Sequence, residues 1–238
     1  LLQAQLHITS LSVERLSIIH QFERNPTPLT LPDNIALPIA LQIDAVSIAG
    51  GEIGWDLVNV IQLGSARFQL SFDRQRYQMQ LDRLDTRSTV GEERINSSMR
   101  GQMTLGTSKP FALHAVFESS STAKVQEKNI AAQGKILIDG ALNDMTINLE
   151  LATKQGGMKG SLVLKPFEKQ IFASALIDAQ DLDLSAWRAD LPRTALDAHL
   201  SARADGIGQL TLTNRAAGLY STGQLPLSRR RELYWCYF

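Results

Sequence analysis

Histidine, cysteine, paired carboxylates and glycine-rich turns are the residues through which this chain could do chemistry. Four histidines, His7, His20, His114 and His199, are scattered along 238 residues. A zinc site needs ligands clustered at short spacing, or the HExxH pair on one helix face. None of the four has a second ligand at such a spacing. His7, His114 and His199 each occupy the polar side of an alternating segment, where water satisfies an imidazole. "GGEIGW" at 50–55 is rich in glycine, but a phosphate cradle needs a strand-to-helix turn and, in the P-loop, a lysine. The stretch reads as a hairpin loop, and "LGTSKP" fails the P-loop pattern too. No GxSxG stands in the chain, so no nucleophile elbow is visible. The single cysteine, Cys236, cannot form an intrachain disulfide and leaves the compartment open. Asp181 with Asp183, and Glu92 with Glu93, are carboxylates in turns that no pattern assigns to acid–base work. The reading is of a protein that is not an enzyme and has no cofactor or metal.

Charge and hydropathy narrow the class further. With 24 basic and 24 acidic side chains the formal net charge is zero, so the basic surface of a nucleic-acid-binding domain is missing. The chain is 44% hydrophobic and long enough for a sizeable core. Its best apolar run, "IALPIALQI" at 35–43, falls short of the roughly 20 residues of a spanning helix. "LLQAQ" opens the chain without methionine, so an interior piece of a longer protein is expected, with any membrane anchor upstream. At the other end "SRRRELYWCYF" breaks in texture from everything before it, and residues 228–238 are set apart as an atypical tail.

What fills the chain between is period-two alternation, the pattern of half-buried strands. Ile35, Leu37, Ile39, Leu41 and Ile43 share one parity. So do Phe68, Leu70 and Phe72; Tyr77, Met79 and Leu81; Met145, Ile147, Leu149 and Leu151; and Leu196, Ala198, Leu200 and Ala202. "GQMTL" at 101, "GKILI" at 134, "GSLVL" at 160 and "GQLTL" at 208 repeat one two-faced segment at uneven intervals, each glycine marking a preceding turn. The links "FDRQR", "GTSKP", "DGALND" and "TKQGGMKG" are short and polar, which favours antiparallel neighbours, since parallel strands need long crossovers. Roughly 12 to 14 strands are expected. Helix is scant: 182–192 suits one turn capped by Ser185 and stopped by Pro192. Residues 121–133 read as a long loop or extended edge. The fold class expected is all-β, an extended antiparallel meander over 1–227, curled into a groove.

Some phrases carry a resemblance. "LTLPDNIALPIALQIDAVSIAGGEI", "AAQGKILIDGALNDMTINLEL" and "ALIDAQDLDLSAWRADLPRTALDAHLSARADGIGQLTLTNRAAGLYSTGQLPL" are similar, in that order, to phrases of the TamB family. TamB is the inner-membrane subunit of the translocation and assembly module, in the AsmA-like superfamily. The resemblance spans roughly 1–227 and rests on structural patterns with no catalytic residues to match. It implies a periplasmic β-rich rod of taco-like section, held in the inner membrane by an upstream helix. It also implies an outer-membrane barrel partner (TamA-like), and a role in phospholipid transport between the membranes and in outer-membrane protein assembly.

The residues themselves lead to a related expectation. A sheet with one continuous apolar face must cover it or curl around it. Leu37, Ile39, Leu41, Phe68, Leu70, Phe72, Tyr77, Met79, Leu81, Ile147, Leu149, Leu162, Leu164 and Leu200 are the residues expected to line a shared concavity, with phospholipid acyl chains as its occupants. The alternative is a structural or adhesive β-solenoid filled by its own side chains and acting through its surface. Medium-sized aliphatics suit a conduit, whereas interlocking large and small residues suit a filled core. Leu, Ile, Met and Phe dominate here, with Ala198 and Ala202 as exceptions, and both readings stay open. An outer-membrane barrel fits less well, because 6% aromatic residues cannot furnish two girdles.

Overall fold

A computed structural model describes residues 4–19, 30–54, 60–90, 93–125, 128–168, 170–186, 191–204 and 206–226. The atypical tail lies outside them, as does His20. The alternating runs form one open, curled sheet of 16 strands. They are β1 (Gln5–Ile8), β2 (Leu11–Val13), β3 (Leu16–Ile19), β4 (Ala40–Ile48), β5 (Gly51–Gly54), β6 (Val60–Phe72), β7 (Arg76–Val90) and β8 (Glu93–Gly106). There follow β9 (Ala112–Val125), β10 (Lys128–Ala141), β11 (Asp144–Thr153), β12 (Gly156–Leu164), β13 (Phe172–Leu182), β14 (Leu196–Arg203), β15 (Ile207–Asn214) and β16 (Leu219–Pro226). From β6 onward each strand pairs antiparallel with the next, as the short polar links require. The one helical element among the described residues is a 3-10 turn, Leu184–Ala186. Its cap is Asp183, whose Oδ1 accepts from both the backbone N–H and the hydroxyl of Ser185, so Ser185 is the recipient of the cap.

The structure corrects several local expectations. The first three strands join in parallel: β1 and β2 run beside β4, and β3 beside β5. The crossover from Ile19 to Ala40 makes this direction available. The strand expected over 35–43 begins only at Ala40, and Leu37 and Ile39 belong to the crossover. Two prolines nearby, Pro32 and Pro38, cannot donate to a ladder, which fits an irregular path there. Within "GGEIGW", Gly51–Gly54 is not loop but forms β5, which follows β4 after Ala49 and Gly50 and pairs with the same strand β6, and Trp55 lies outside the described residues. Of the segment 121–133, residues 121–125 and 128–133 are not loop but the facing ends of β9 and β10, paired from Ala112–Ala141 to Val125–Lys128, and 126–127 lie outside the described residues.

Three of the repeated glycines mark mid-strand positions, not turns: Gly101, Gly134 and Gly160 each sit inside a paired strand, whereas Gly208 is the second residue of β15 and follows a turn as expected. Gly101 stands opposite Leu81 and Phe117, so close that a Cβ built there would lie 2.1 Å from the Val116 carbonyl oxygen. Interior strand glycines serve such close approaches.

The apolar face of the sheet as candidate functional site

Directly paired residues of neighbouring strands project to the same face, so register decides which side chains meet. One row starts with Ile8 beside Ile43 and continues through Leu70, Met79, Met103, Ala115, Ile138, Ile147, Leu162, Ala175 and Ala202 to Gly208. No polar residue interrupts it from β1 to β15. A second row runs Leu81, Gly101, Phe117, Ile136, Leu149, Gly160, Ile177, Leu200 and Leu210. A third, near the strand ends, runs Leu41, Phe72, Tyr77, Leu105, Leu113, Gly140, Met145 and Leu164.

Twelve of the sequence-picked residues thus share one face: Leu41, Phe68, Leu70, Phe72, Tyr77, Met79, Leu81, Ile147, Leu149, Leu162, Leu164 and Leu200. Leu37 and Ile39 lie on the crossover and have no strand partner. Sequence reasoning passed over Met103, Leu105, Ile136 and Ile138, although "GQMTL" and "GKILI" displayed their parity. Val46, Ile48 and Leu84 were hidden by irregularities after Ile43 and Leu81 that reset the alternation.

Burial along this face is uneven. Ile43, Val46, Ile48, Leu63, Ala66, Phe72, Leu81, Leu113 and Ala115 are buried within β4–β9, whereas in the later strands burial is confined to Ile130 and the small side chains Ala179 and Ala202 among the apolar residues described. From β10 onward Ile136, Ile138, Ile147, Leu149, Leu162, Ile177, Leu200 and Leu210 are half-exposed, and on β16 Leu219 keeps 65% of its exposure.

The opposite face carries charge in register. Arg100 stands opposite Glu118, then Lys135, Glu150, Lys159, Asp178 and His199 follow in turn, alternating in sign. Arg100 Nη2 lies 2.7 Å from Glu118 Oε2, Lys159 Nζ 3.3 Å from Glu150 Oε1, and His199 Nδ1 2.6 Å from Asp178 Oδ1. His114 meets Asp139 at 2.5 Å and His7 meets Asp44 at 2.7 Å, so the histidines expected in water are exposed but paired. The side-chain amide of Gln42, and then His7, hold the Asp44 carboxyl below its ordinary value.

A crevice of about 980 Å³ lies among these polar side chains, between Arg100, Glu118, Lys135, Glu150 and Lys159. Its charges alternate, so it offers no field of one sign to a charged ligand. Among the described residues no group of three or more histidine, cysteine or acidic side chains could hold a metal ion, and no helix is long and apolar enough to cross a membrane. Asp181 is held by Arg215, which also reaches Asp197 at 2.8 Å, and Asp183 caps its turn. These carboxylates have structural partners. What the arrangement offers is a broad apolar surface bounded by strand ends. Comparisons with protein-family models, curated proteins and solved structures return no match.

Proposed function

We propose that this chain is a non-catalytic lipid-handling segment whose apolar sheet face takes up the acyl chains of phospholipids. The observation that carries the reading is the unbroken row of paired apolar residues from Ile8 to Gly208, on a sheet that does not close on itself. A face of that kind left in water is costly, and each methylene brought onto it from water contributes about 0.8 kcal/mol. The row runs across the strands, so its length grows with strand number and chains can move along it without meeting a polar side chain. With the sequence resemblance, the reading becomes a periplasmic segment of a TamB-like envelope protein. An inner-membrane helix and an outer-membrane barrel partner would be supplied by other parts of the system, and phospholipid passage and outer-membrane protein assembly would be the task.

A filled structural solenoid has one observation in its favour. Ile48, Leu63 and Ala66 form a compact cluster, with Val13, Leu16, Phe68 and Leu84 packed against it. That cluster is confined to the edge where β2–β5 meet β6 and β7. The face from β10 onward, half-exposed, is where the two readings part.

Phospholipid binding tests the proposal. Leu149→Asp places a carboxylate in the second row, where desolvation beneath an acyl chain costs several kcal/mol. Lipid recovered with the purified protein should fall at least about tenfold, the factor expected for 1.4 kcal/mol or more. Asn148→Asp, one residue away on the polar face, should bind as the unchanged chain does. Equal loss in both, or in neither, would refute the reading.

A further inference from the structure

The crossover into β4 does not stay clear of the sheet. Asn34 bridges to Ser108 in the β8–β9 turn, and the Ile35 N–H donates to the Thr107 carbonyl at 3.0 Å. Lys109 Nζ donates to Asp33 Oδ1 at 2.7 Å. Five residues after Ile35 the chain enters β4 beside the far end of β6. Between these points it must pass the first residues of β7. Tyr77 there donates its hydroxyl to the Ile35 carbonyl at 2.7 Å.

Tyr77 shows on which side the segment lies. By register it shares the apolar face with Phe72 and Leu105, and its ring stacks on Phe72 with centroids 4.5 Å apart. A hydroxyl reaching Ile35 from that face puts the segment on the apolar side, along the rim formed by the ends of β6–β8. Burial marks the part of the rim most fully covered: Phe72 keeps 2% of its exposure, Leu113 9% and Phe111 none, while Tyr77 and Leu105 beside them are half-exposed, as Leu149 and Leu162 are in the later strands.

We propose that residues 30–39 are a latched lid over this rim, and that releasing it uncovers Leu41, Phe72, Tyr77, Leu105 and Leu113 to acyl chains. With the lid closed, chains occupy the open half from β10 onward. This inference rests on the acyl-chain reading above. The latch consists of a few polar contacts to the β8–β9 turn and to Tyr77, and that turn is joined to the β6–β7 turn where the Thr107 N–H and hydroxyl both donate to the Gln75 carbonyl. Contacts of that kind exchange for water in local opening, without loss of strand pairing.

The test uses the full chain with a photoreactive residue at Leu113, buried at the rim, or at Leu162, in the open half. Each is irradiated with phosphatidylethanolamine–phosphatidylglycerol vesicles. The backgrounds are the unchanged chain, Asp33→Ala, and Asp33→Ala with Tyr77→Phe. Asp33→Ala removes an exposed ion pair and leaves every strand intact, so it keeps the test valid should the double variant misfold. Leu162 should capture lipid in all backgrounds. Leu113 should capture little in the unchanged chain and several-fold more once the ties are cut. Equal capture at Leu113 in all backgrounds would overturn the lid. Amide exchange separates this from failure of the lipid reading, because the Ile35 N–H should exchange about tenfold faster in the double variant whatever binds. Faster exchange at Ile35 without capture at Leu162 refutes the acyl-chain reading and supports the lid. Unchanged exchange refutes the lid.

Discussion

Glycines shape the apolar face at the scale of single residues as much as large side chains do. At Gly101 a Cβ would meet the Val116 carbonyl oxygen at 2.1 Å and Phe117 Cδ1 at 2.6 Å, whereas at Gly223 it would meet nothing within 4 Å. Gly101→Ala is therefore expected to lower stability by about 1–3 kcal/mol, the range for an overpacked core. Gly223→Ala should stay within about 0.5 kcal/mol, as surface changes do. Urea denaturation distinguishes the two, and equal effects would contradict the packing account. "GQMTL" was legible as a strand but its glycine was misread, because a glycine before a strand and one inside it leave the same trace in sequence. Acid offers a second check at this scale. The Asp73 carboxyl accepts the N–H groups of Gln75 and Arg76 at 2.9 and 2.8 Å and is held below its ordinary value by them. Asp183 is lowered likewise, first by the Ser185 hydroxyl and then by backbone donors including Thr194. A depressed carboxyl stabilises the fold fully above its unfolded value, here 3.8, and loses that contribution as pH falls through its lower folded value. Thermal melts should therefore drop less steeply below pH 4 in Asp73→Asn and Asp183→Asn than in the unchanged chain. Parallel slopes would show that these turns do not depend on the carboxylates.

Strands are held in register by two unlike faces. A slip of one residue would turn every apolar side chain to water, and a slip of two would separate the ion pairs of the charged row, setting Glu118 opposite Gln133 or Leu137 and Lys135 opposite Asn148 or Ala152. Lys135 stands between Glu118 and Glu150. Lys135→Glu places three carboxylates in adjacent strands and should cost about 0.4–2 kcal/mol, two unfavourable cross-strand pairs. Lys135→Gln should cost less than half as much, and 1 M salt should narrow the gap by screening. A reversal without effect on the denaturation midpoint would mean the row is incidental. Parity within each strand was legible from the sequence, so the sheet and most of its apolar residues were too. Pairing between strands was not. The sign alternation appears only once Glu118, Lys135 and Glu150 are known to be opposite one another, though they lie 17 and 15 residues apart in the chain. Leu37 and Ile39 show the converse failure. They keep strand parity on a segment that the fold uses to cross strand ends, and parity alone cannot tell the two apart.

The whole molecule is one sheet with a path of neighbours from β1 to β16 and no closure between its ends. That topology separates an apolar face from a polar one, and under the proposed function it makes capacity depend on strand number instead of on any one pocket. The most direct test of the account is photocrosslinking in the full-length protein, in membranes, with the reactive residue placed in turn at Leu149, Asn148, Leu70 and Gln69. Leu149 and Leu70 belong to the apolar rows, while Asn148 and Gln69 are their neighbours on the polar face. The account predicts phospholipid adducts from Leu149, fewer from Leu70 in the more buried half, and none from Asn148 or Gln69. Equal capture from both faces, or none from Leu149, would contradict it.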